Sequence, residues 1–282
     1  MSFQTRGDAQ QRGATDEVYS IADHDVQESY VSGRSAAGWV PFFLPHLRPG
    51  MSLLDCGCGV GSITLDLAAH VAPGQVVGVD MDDGQLDVAR KEAERRGIGN
   101  IRFEVGNLYE LPFVDASFDA VLAHTVLVHL RDQPKALRAL RRVLKPGGVI
   151  CVSDDDLSTH VYAPPGRAMA KVRELMVRVL EYNGGSPFYS RNLRALLLDA
   201  GFTRTEGHAI VVDQYGTADA TRRFAQYLHV LFSNPAVAGP IVSEGWASEA
   251  ELAQVRDGVL AWGERPDAFC AWMYCAAIGW VE

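Results

Sequence analysis

No uninterrupted apolar run in this chain reaches the roughly 20 residues that cross a bilayer, so no membrane span is expected. The first fifteen residues, rich in Gln, Arg, Gly, Asp and Thr, lack the apolar stretch of a secretory signal, and 1–15 reads as a disordered start. Basic charge is short as well, with 26 Lys and Arg against 35 Asp and Glu and a net charge of −9. A bulk phosphate backbone is therefore poorly attracted, and no nucleic-acid partner is expected. The basic run Arg138, Arg141, Arg142 and Lys145 reads as the solvated side of a helix. The five cysteines are odd in number, and Cys56-x-Cys58 has no second pair at zinc spacing. Neither a disulfide framework nor a metal site is expected. Free thiols behave as small hydrophobes, and a reducing, cytoplasmic setting follows.

What is present is ordinary for a globular chain of 282 residues: 48% hydrophobic and 22% charged, enough for one large core or a core with a cap. The informative stretch is Leu53-Leu54-Asp55-Cys56-Gly57-Cys58-Gly59-Val60-Gly61, an apolar strand end breaking into alternating glycines. Ser62-Ile63-Thr64-Leu65 then restarts an apolar, helix-like pattern, so a helix N-terminus points at whatever the turn holds. The glycines remove the Cβ atoms that would keep a ligand off the backbone. A dinucleotide turn is written GxGxxG and faces a pyrophosphate. Here Ser62 takes the third glycine's place and Asp55 precedes the turn, where a carboxylate repels phosphate and suits a cationic amino group.

Gln75-Val76-Val77-Gly78-Val79-Asp80 is a second short strand ending in a carboxylate, about twenty residues past the glycines, where nucleotide folds place a ribose-binding acid. Asp80 can accept from two adjacent hydroxyls; its other reading is a helix cap in Asp80-Met81-Asp82-Asp83-Gly84. Ile101–Leu108 alternates as a third strand and turn, Ser117–Ala123 runs into His124, and Gly147–Ser153 runs into Asp154-Asp155-Asp156. Asp132 to Leu144 reads as a helix stopped by Lys145-Pro146-Gly147-Gly148.

The pattern acidic-x-GxGxG at Asp55–Gly61 resembles the first motif of class I methyltransferases that use S-adenosylmethionine. Phe118-Asp119-Ala120-Val121, His129-Leu130 and Arg142-Val143-Leu144-Lys145-Pro146-Gly147-Gly148 are similar to segments of the ubiquinone and menaquinone biosynthesis methyltransferase group. The resemblance spans about residues 50 to 155, in order. It implies an α/β, doubly wound, mostly parallel seven-stranded sheet, a Rossmann-like methyltransferase fold, with helical additions forming a lid. It also implies S-adenosylmethionine as cofactor, with Asp55, Gly57, Cys58, Gly59 and Gly61 around its methionine part, Asp80 on the ribose and Met81 against adenine. Asn107 stands where the family has Asp; its amide can still accept from the adenine amino group, or donate to a ring nitrogen. Leu108's backbone amide is a further adenine contact, and His124 is counted among the cofactor-binding residues. Tyr30 is placed to reach the cofactor's carboxylate or to pack under an N-terminal cap.

The expected organisation is a start at 1–15, a helical cap at 16–48, a cofactor core at 49–155, a helical lid at 156–189 and the rest of the sheet at 190–282, with a helical insertion at 215–265. Ser35 to Leu47 reads as one apolar-faced helix, Pro165 to Tyr182 as the lid helix, and Tyr215 to Arg265 as two helices, the second opened by a Ser248-x-x-Glu251 capping box. The additions either roof the acceptor pocket or enlarge the core and form a dimer contact, leaving monomer or homodimer open. Their aromatics, Tyr162, Tyr182, Phe188, Tyr189, Phe224, Tyr227, Phe232 and Trp246, suit a small apolar or aromatic methyl acceptor as well as plain packing.

The expected reaction is in-line methyl transfer governed mainly by positioning, to oxygen, carbon and nitrogen in that order of preference, in secondary metabolism. A base is needed only where the acceptor must lose a proton, and His129 and Asp154 are the catalytic candidates, beside His124 and Asp155. No metal is expected, since one acidic run cannot supply ligands from several loops. The alternatives are a fold that keeps the cofactor structurally while catalysing a cyclisation or rearrangement, and a nicotinamide dehydrogenase, which Asp55 and Ser62 disfavour.

Overall fold

The computed structural model describes residues 33–282, so Tyr30, the 1–15 start and the first part of the 16–48 segment lie outside the described residues. Five strands, β1 (Leu53–Cys56), β2 (Val76–Asp80), β3 (Ile101–Val105), β4 (Phe118–His124) and β5 (Leu144–Asp155), pair in parallel in the order β3-β2-β1-β4-β5. Leu53, Leu54, Val121, Leu122 and Ile150 are completely buried, because helices cover both sheet faces and the central strands can be apolar throughout.

β8 (Phe269–Trp280) lies antiparallel to β5, and β7 (Arg204–Tyr215) takes its other edge. The three-residue β6 (Val161–Ala163) pairs with the start of β8. Since β7 holds one edge of β8, β6 must share the edge that β5 uses farther along. Eight strands therefore fill seven positions, and the sheet at β5, β6 and β8 rises past the carboxyl ends of the other parallel strands.

One face of the sheet carries α1 (Ala36–Trp39) and α2 (Ser62–Val71), and the long α5 (Arg167–Tyr182), α7 (Ala218–Leu231), α8 (Pro235–Ser243) and α9 (Glu249–Gly263) pack in the same core. The opposite face carries α4 (Gln133–Val143) and α6 (Leu193–Asp199), while α3 (Asp83–Arg96) closes against α2 and β3. α4 shows how the sequence makes such an element. Asp132 caps it by accepting from Lys135 N at 2.8 Å, Pro134 sits in the first turn where its missing N–H costs nothing, and Leu144 turns extended to begin β5. Its spacing buries Ala136, Leu137, Leu140 and Val143 fully, and each of the larger side chains contributes roughly 1.5–3 kcal/mol.

Three expectations need correction. Ser35–Leu47 is a four-residue helix, a turn and a short 3-10 turn at Leu44–His46, because Pro41 and Pro45 break the ladder. The 215–265 insertion holds three helices, the additional one being α8, whose sequence contains Gly239 and Pro240. The lid segment at 156–189 includes the strand β6 before α5. The capping box opens α9 as expected: Ser248 Oγ accepts from Glu251 N at 3.2 Å and Ser248 N donates to Glu251 Oε2 at 2.8 Å. No helix among the described residues is long and apolar enough to cross a membrane.

Candidate functional site

The glycine turn lies between β1 and α2, at the carboxyl end of the parallel strands. Gly57, Gly59 and Gly61 have φ of +73°, +53° and +76°, a left-handed path that glycine takes freely and other residues resist. A Cβ at Gly57 would sit 2.2 Å from Val126 Cγ2, one at Gly61 2.9 Å from Ala89 Cβ, and one at Gly59 2.8 Å from Gln85 Oε1. The glycines thus serve the turn's path and its close contact with the protein's own side chains.

Two carboxylates lie beneath this turn. Asp55, 3% exposed, accepts from Thr64 Oγ1 at 2.7 Å and so ties β1 to α2. Burial raises its pKa to about 7, against the Thr64 bond, and Asp80 adds to the rise. Asp80 ends β2 and accepts at Oδ2 from Gly59 N (2.8 Å) and at Oδ1 from Asp82 N (3.1 Å). Burial raises its pKa too, while those backbone bonds hold it down. An ionised carboxylate offers about four acceptor positions, so two remain for a vicinal diol. The helix-cap role falls to Asp82, whose Oδ1 accepts from Gly84 N and Gln85 N.

Met81 beside Asp80 is 56% exposed, an apolar side chain open for a flat ring. Asn107 Oδ1 accepts from Tyr109 N at 2.9 Å, capping the turn that holds buried Leu108, and its Nδ2 donates to no acceptor among the described residues. Cys58 is half-buried at the turn, and burial pushes its thiol well up, followed by the charges of Asp55 and Asp80. All five thiols are free. Among the described residues no group of three or more His, Cys, Asp or Glu is arranged to hold a metal ion. Two acids, a free amide donor and an open apolar side chain are the donor set of a cationic nucleoside with a free ribose. They fit S-adenosylmethionine and oppose a pyrophosphate.

A methyltransferase-domain family model matches residues 47–195. The chain belongs to the methyltransferase family. The methyltransferase is 32% identical over 231 residues to an uncharacterised methyltransferase of Schizosaccharomyces pombe, covering 78% of this chain and 82% of that one. It is 31% identical to a ubiquinone/menaquinone biosynthesis C-methyltransferase, UbiE, of Vibrio parahaemolyticus, covering 66% of this chain and 78% of the relative. Among solved structures it shares the fold of phosphoethanolamine N-methyltransferase 2 of Haemonchus contortus, which was solved with S-adenosylhomocysteine, at a TM-score of 0.56, 18% identity and coverage of 92% and 57%. The YcgJ protein of Bacillus subtilis shows the same fold at a TM-score of 0.57 and 21% identity, with 86% and 98% covered. The chain is thus a class I methyltransferase enzyme of the UbiE-like kind, with S-adenosylmethionine as its cofactor.

The strand ends beyond the turn separate the residues read as catalytic. Asp154 is fully buried on the α4 and α6 side of the sheet. Tyr189 OH donates to its Oδ2, and burial raises its pKa to about 8, opposed by the Tyr189 bond and by backbone bonds from Val128 and Leu127. Asp154 is thus sealed behind Tyr189 on the face away from His124, with its Oδ1 buried and without a hydrogen-bond partner among the described residues. His129 closes a short 3-10 turn, and burial lowers its pKa to about 4, leaving a neutral imidazole at physiological pH.

The opposite face, which carries α1, is different. His124 at the end of β4 is stacked on Tyr274 (5.4 Å, 20°) and edge-on to Trp39 (5.5 Å), and Trp39 also meets Tyr274 at 5.2 Å. The Arg34 guanidinium covers Trp39 at 4.2 Å and lies 3.5 Å from His124 Nε2 and 3.4 Å from Thr125 Oγ1. Burial holds the His124 imidazole well below its usual pKa, and Arg34 adds to this. Thr125 has φ +58°, a strained conformation for a β-branched residue. On β5, Asp155 Oδ2 meets His160 Nε2 at 2.8 Å, and His160 Nδ1 meets Tyr162 OH at 2.9 Å, with the imidazole stacked on Trp272 at 5.2 Å.

Sequence reasoning left Arg34, Trp39, Ser153, His160 and Tyr274 out of the site. A usable signal was present for one pair: His160 and Tyr162 are two apart, which places both on one side of an extended segment.

Proposed function

We propose that this methyltransferase acts on a small apolar or aromatic metabolite, methylating oxygen in preference to carbon and carbon in preference to nitrogen. The observation that carries the reading is the aromatic cluster against the upper sheet, where Trp39 meets Tyr274 at 5.2 Å and Phe224 of α7 lies 5.5 Å from Trp272 and 6.4 Å from Trp262 of α9. Aromatic walls favour an apolar body with a few polar groups. The buried stripe of α5, at Met169, Val172, Leu175 and Val179, belongs to the same core and anchors the helical additions to the face that carries these aromatics.

Bound S-adenosylmethionine supplies a methyl group already activated by its sulfonium. The chain's residues bind and orient: Asp80 takes the ribose hydroxyls, Asn107 Nδ2 and the Leu108 amide face the base, Met81 covers its ring, and Asp55 holds the turn beside the amino end. The aromatic side chains beside the strand ends align the acceptor, and such alignment supplies several kcal/mol of the barrier lowering. The test is release of S-adenosylhomocysteine with a panel of phenols, enols, quinones, prenylated acceptors and amines, alongside calorimetry with S-adenosylmethionine, S-adenosylhomocysteine and NAD. Turnover with a hydroxyl-bearing or aromatic acceptor supports the reading. Tight NAD binding without sulfonium binding would sink it, and turnover with polar amines alone would replace the acceptor class.

A further inference from the structure

At the adjoining ends of β4 and β5 three polar atoms are buried and have no hydrogen-bond partner among the described residues: His124 Nδ1, Ser153 Oγ and Asp155 Oδ1. His124 is 7% exposed and Ser153 not at all. Buried polar atoms left unpaired are costly and rare, so their concentration at one place calls for a ligand. The sheet register brings them together. His124 is directly opposite Ser153 across β4 and β5, Asp155 lies two residues on with its side chain on the same face, and Tyr274, opposite Asp155, stacks on His124. Opposed residues have Cβ atoms about 5 Å apart and a two-residue step adds about 7 Å, a span that one small acceptor's polar end can bridge.

The polarity of each atom follows from its neighbours. Arg34 can only donate, so its approach to His124 makes Nε2 the acceptor and leaves Nδ1 carrying the proton as an unused donor. Asp155 already receives His160 Nε2–H on Oδ2, with Tyr162 O–H donated to His160 Nδ1, so Oδ1 is an unused acceptor. Ser153 can serve either way. A ligand group facing this set must donate to a carboxylate and accept from an imidazole N–H. A neutral hydroxyl does both, whereas an ammonium has nothing to accept with and a carboxylate nothing to donate.

We infer that His124, Ser153 and Asp155 form the polar end of the acceptor site, that its ligand is a neutral phenol or enol, and that Asp155 Oδ1 takes the hydroxyl proton. This rests on the methyl-transfer reading above. In the proton step the acceptor's O–H bond breaks, the proton passes to Oδ1, and the electron pair stays on the acceptor, to be used at oxygen or at the enol carbon. His160 keeps its own Nε2 proton and holds Asp155 in place, and Tyr162 fixes the His160 tautomer. Both are positioning residues. After product leaves, Oδ1 returns its proton to water.

The test compares wild type with Asp155→Asn on a series running from phenol to 4-nitrophenol, together with a cyclic 1,3-diketone, following release of S-adenosylhomocysteine. Loss of a positioned base costs roughly 10²–10⁴-fold, so kcat/KM for phenol should fall by that factor. For 4-nitrophenol, assayed above its own pKa and so already ionised, the fall should stay below about tenfold, while calorimetry gives an unchanged Kd for S-adenosylhomocysteine. An equal loss across the series, or none, overturns the assignment, as does turnover of amines without any hydroxyl acceptor. Wild type that fails to bind the cofactor would instead overturn the methyl-transfer reading. Where circular dichroism shows Asp155→Asn unfolded, Tyr162→Phe decides: a loss confined to weakly acidic phenols supports the inference, and an acidity-independent change refutes it.

Discussion

Replacing Asp80 with Asn tests the cofactor site with almost no change of shape. The carboxylate holds Gly59 N at 2.8 Å and Asp82 N at 3.1 Å, and the proposed ribose diol uses its remaining acceptor positions. An amide keeps one acceptor and turns an NH2 toward either a backbone N–H or a hydroxyl. A hydrogen bond to a charged group contributes about 1.5–3 kcal/mol, so losing one such bond and the charge behind the other weakens binding by about 2–4 kcal/mol. At about 1.4 kcal/mol per factor of ten, the Kd for S-adenosylhomocysteine should rise roughly 30- to 700-fold. Stability without cofactor should change little, because burial already disfavours the ionised form, and removing that charge offsets the lost turn bond. Calorimetry and a thermal scan of the same two proteins separate the effects. An unchanged Kd, or a loss of binding matched by an equal loss of folding, refutes the assignment of Asp80 to the ribose.

Gly57→Ala should destabilise the fold by about 2–5 kcal/mol in urea unfolding, the sum of a left-handed φ and a Cβ pressed on Val126, and Val126→Ala should restore part of it; wild-type stability in the single variant contradicts the packing. Asp154 has its folded pKa raised to about 8, above its unfolded value, so the folded state holds the extra proton and stability should fall as pH rises from about 4 to 8. Asp154→Asn, which keeps an acceptor for Tyr189, should flatten that decline between pH 6.5 and 8, and an unaltered slope of Tm against pH contradicts the buried neutral carboxyl. His129 has the opposite sign. Its folded pKa of about 4 lies below the unfolded value, so its contribution is lost as pH falls from about 6.5 to 4, and a His129 variant with an undiminished acid limb would show that the imidazole is not buried neutral. Ser248→Ala, which removes the α9 cap, should cost about 0.5–2 kcal/mol by denaturant unfolding without moving the cofactor Kd.

The core from β1 to β5 was legible because the central strands are apolar almost throughout, and β1, β2, β3 and β5 run into Gly or Asp, a local signal. β6 carries no such signal, since three residues are too few for a period, and its existence depends on a partner more than a hundred residues away in β8. α8 was missed because Gly239 and Pro240 weaken the helical pattern inside an element of only nine residues. The three consecutive aspartates after β5 pose a different difficulty. Their composition is identical, and which sheet face each takes is set by register: Asp155 opposite Tyr274, Asp154 opposite Cys275 and turned toward Tyr189. That fact is non-local, which is why the sequence left Asp154 and Asp155 side by side as candidates. The glycine turn was correctly placed but incompletely explained, because Val126, Ala89 and Phe103, which crowd its glycines, come from other elements.

The most direct test of the account is the fate of an isotope-labelled methyl group, offered as methyl-labelled S-adenosylmethionine together with phenol and enol acceptors and read by carbon NMR of the product. A methoxy or C-methyl signal is expected from the wild-type protein, and its loss for weakly acidic acceptors in Asp155→Asn. A label that remains on the cofactor with every hydroxyl acceptor, or appears only as N-methyl, would contradict it.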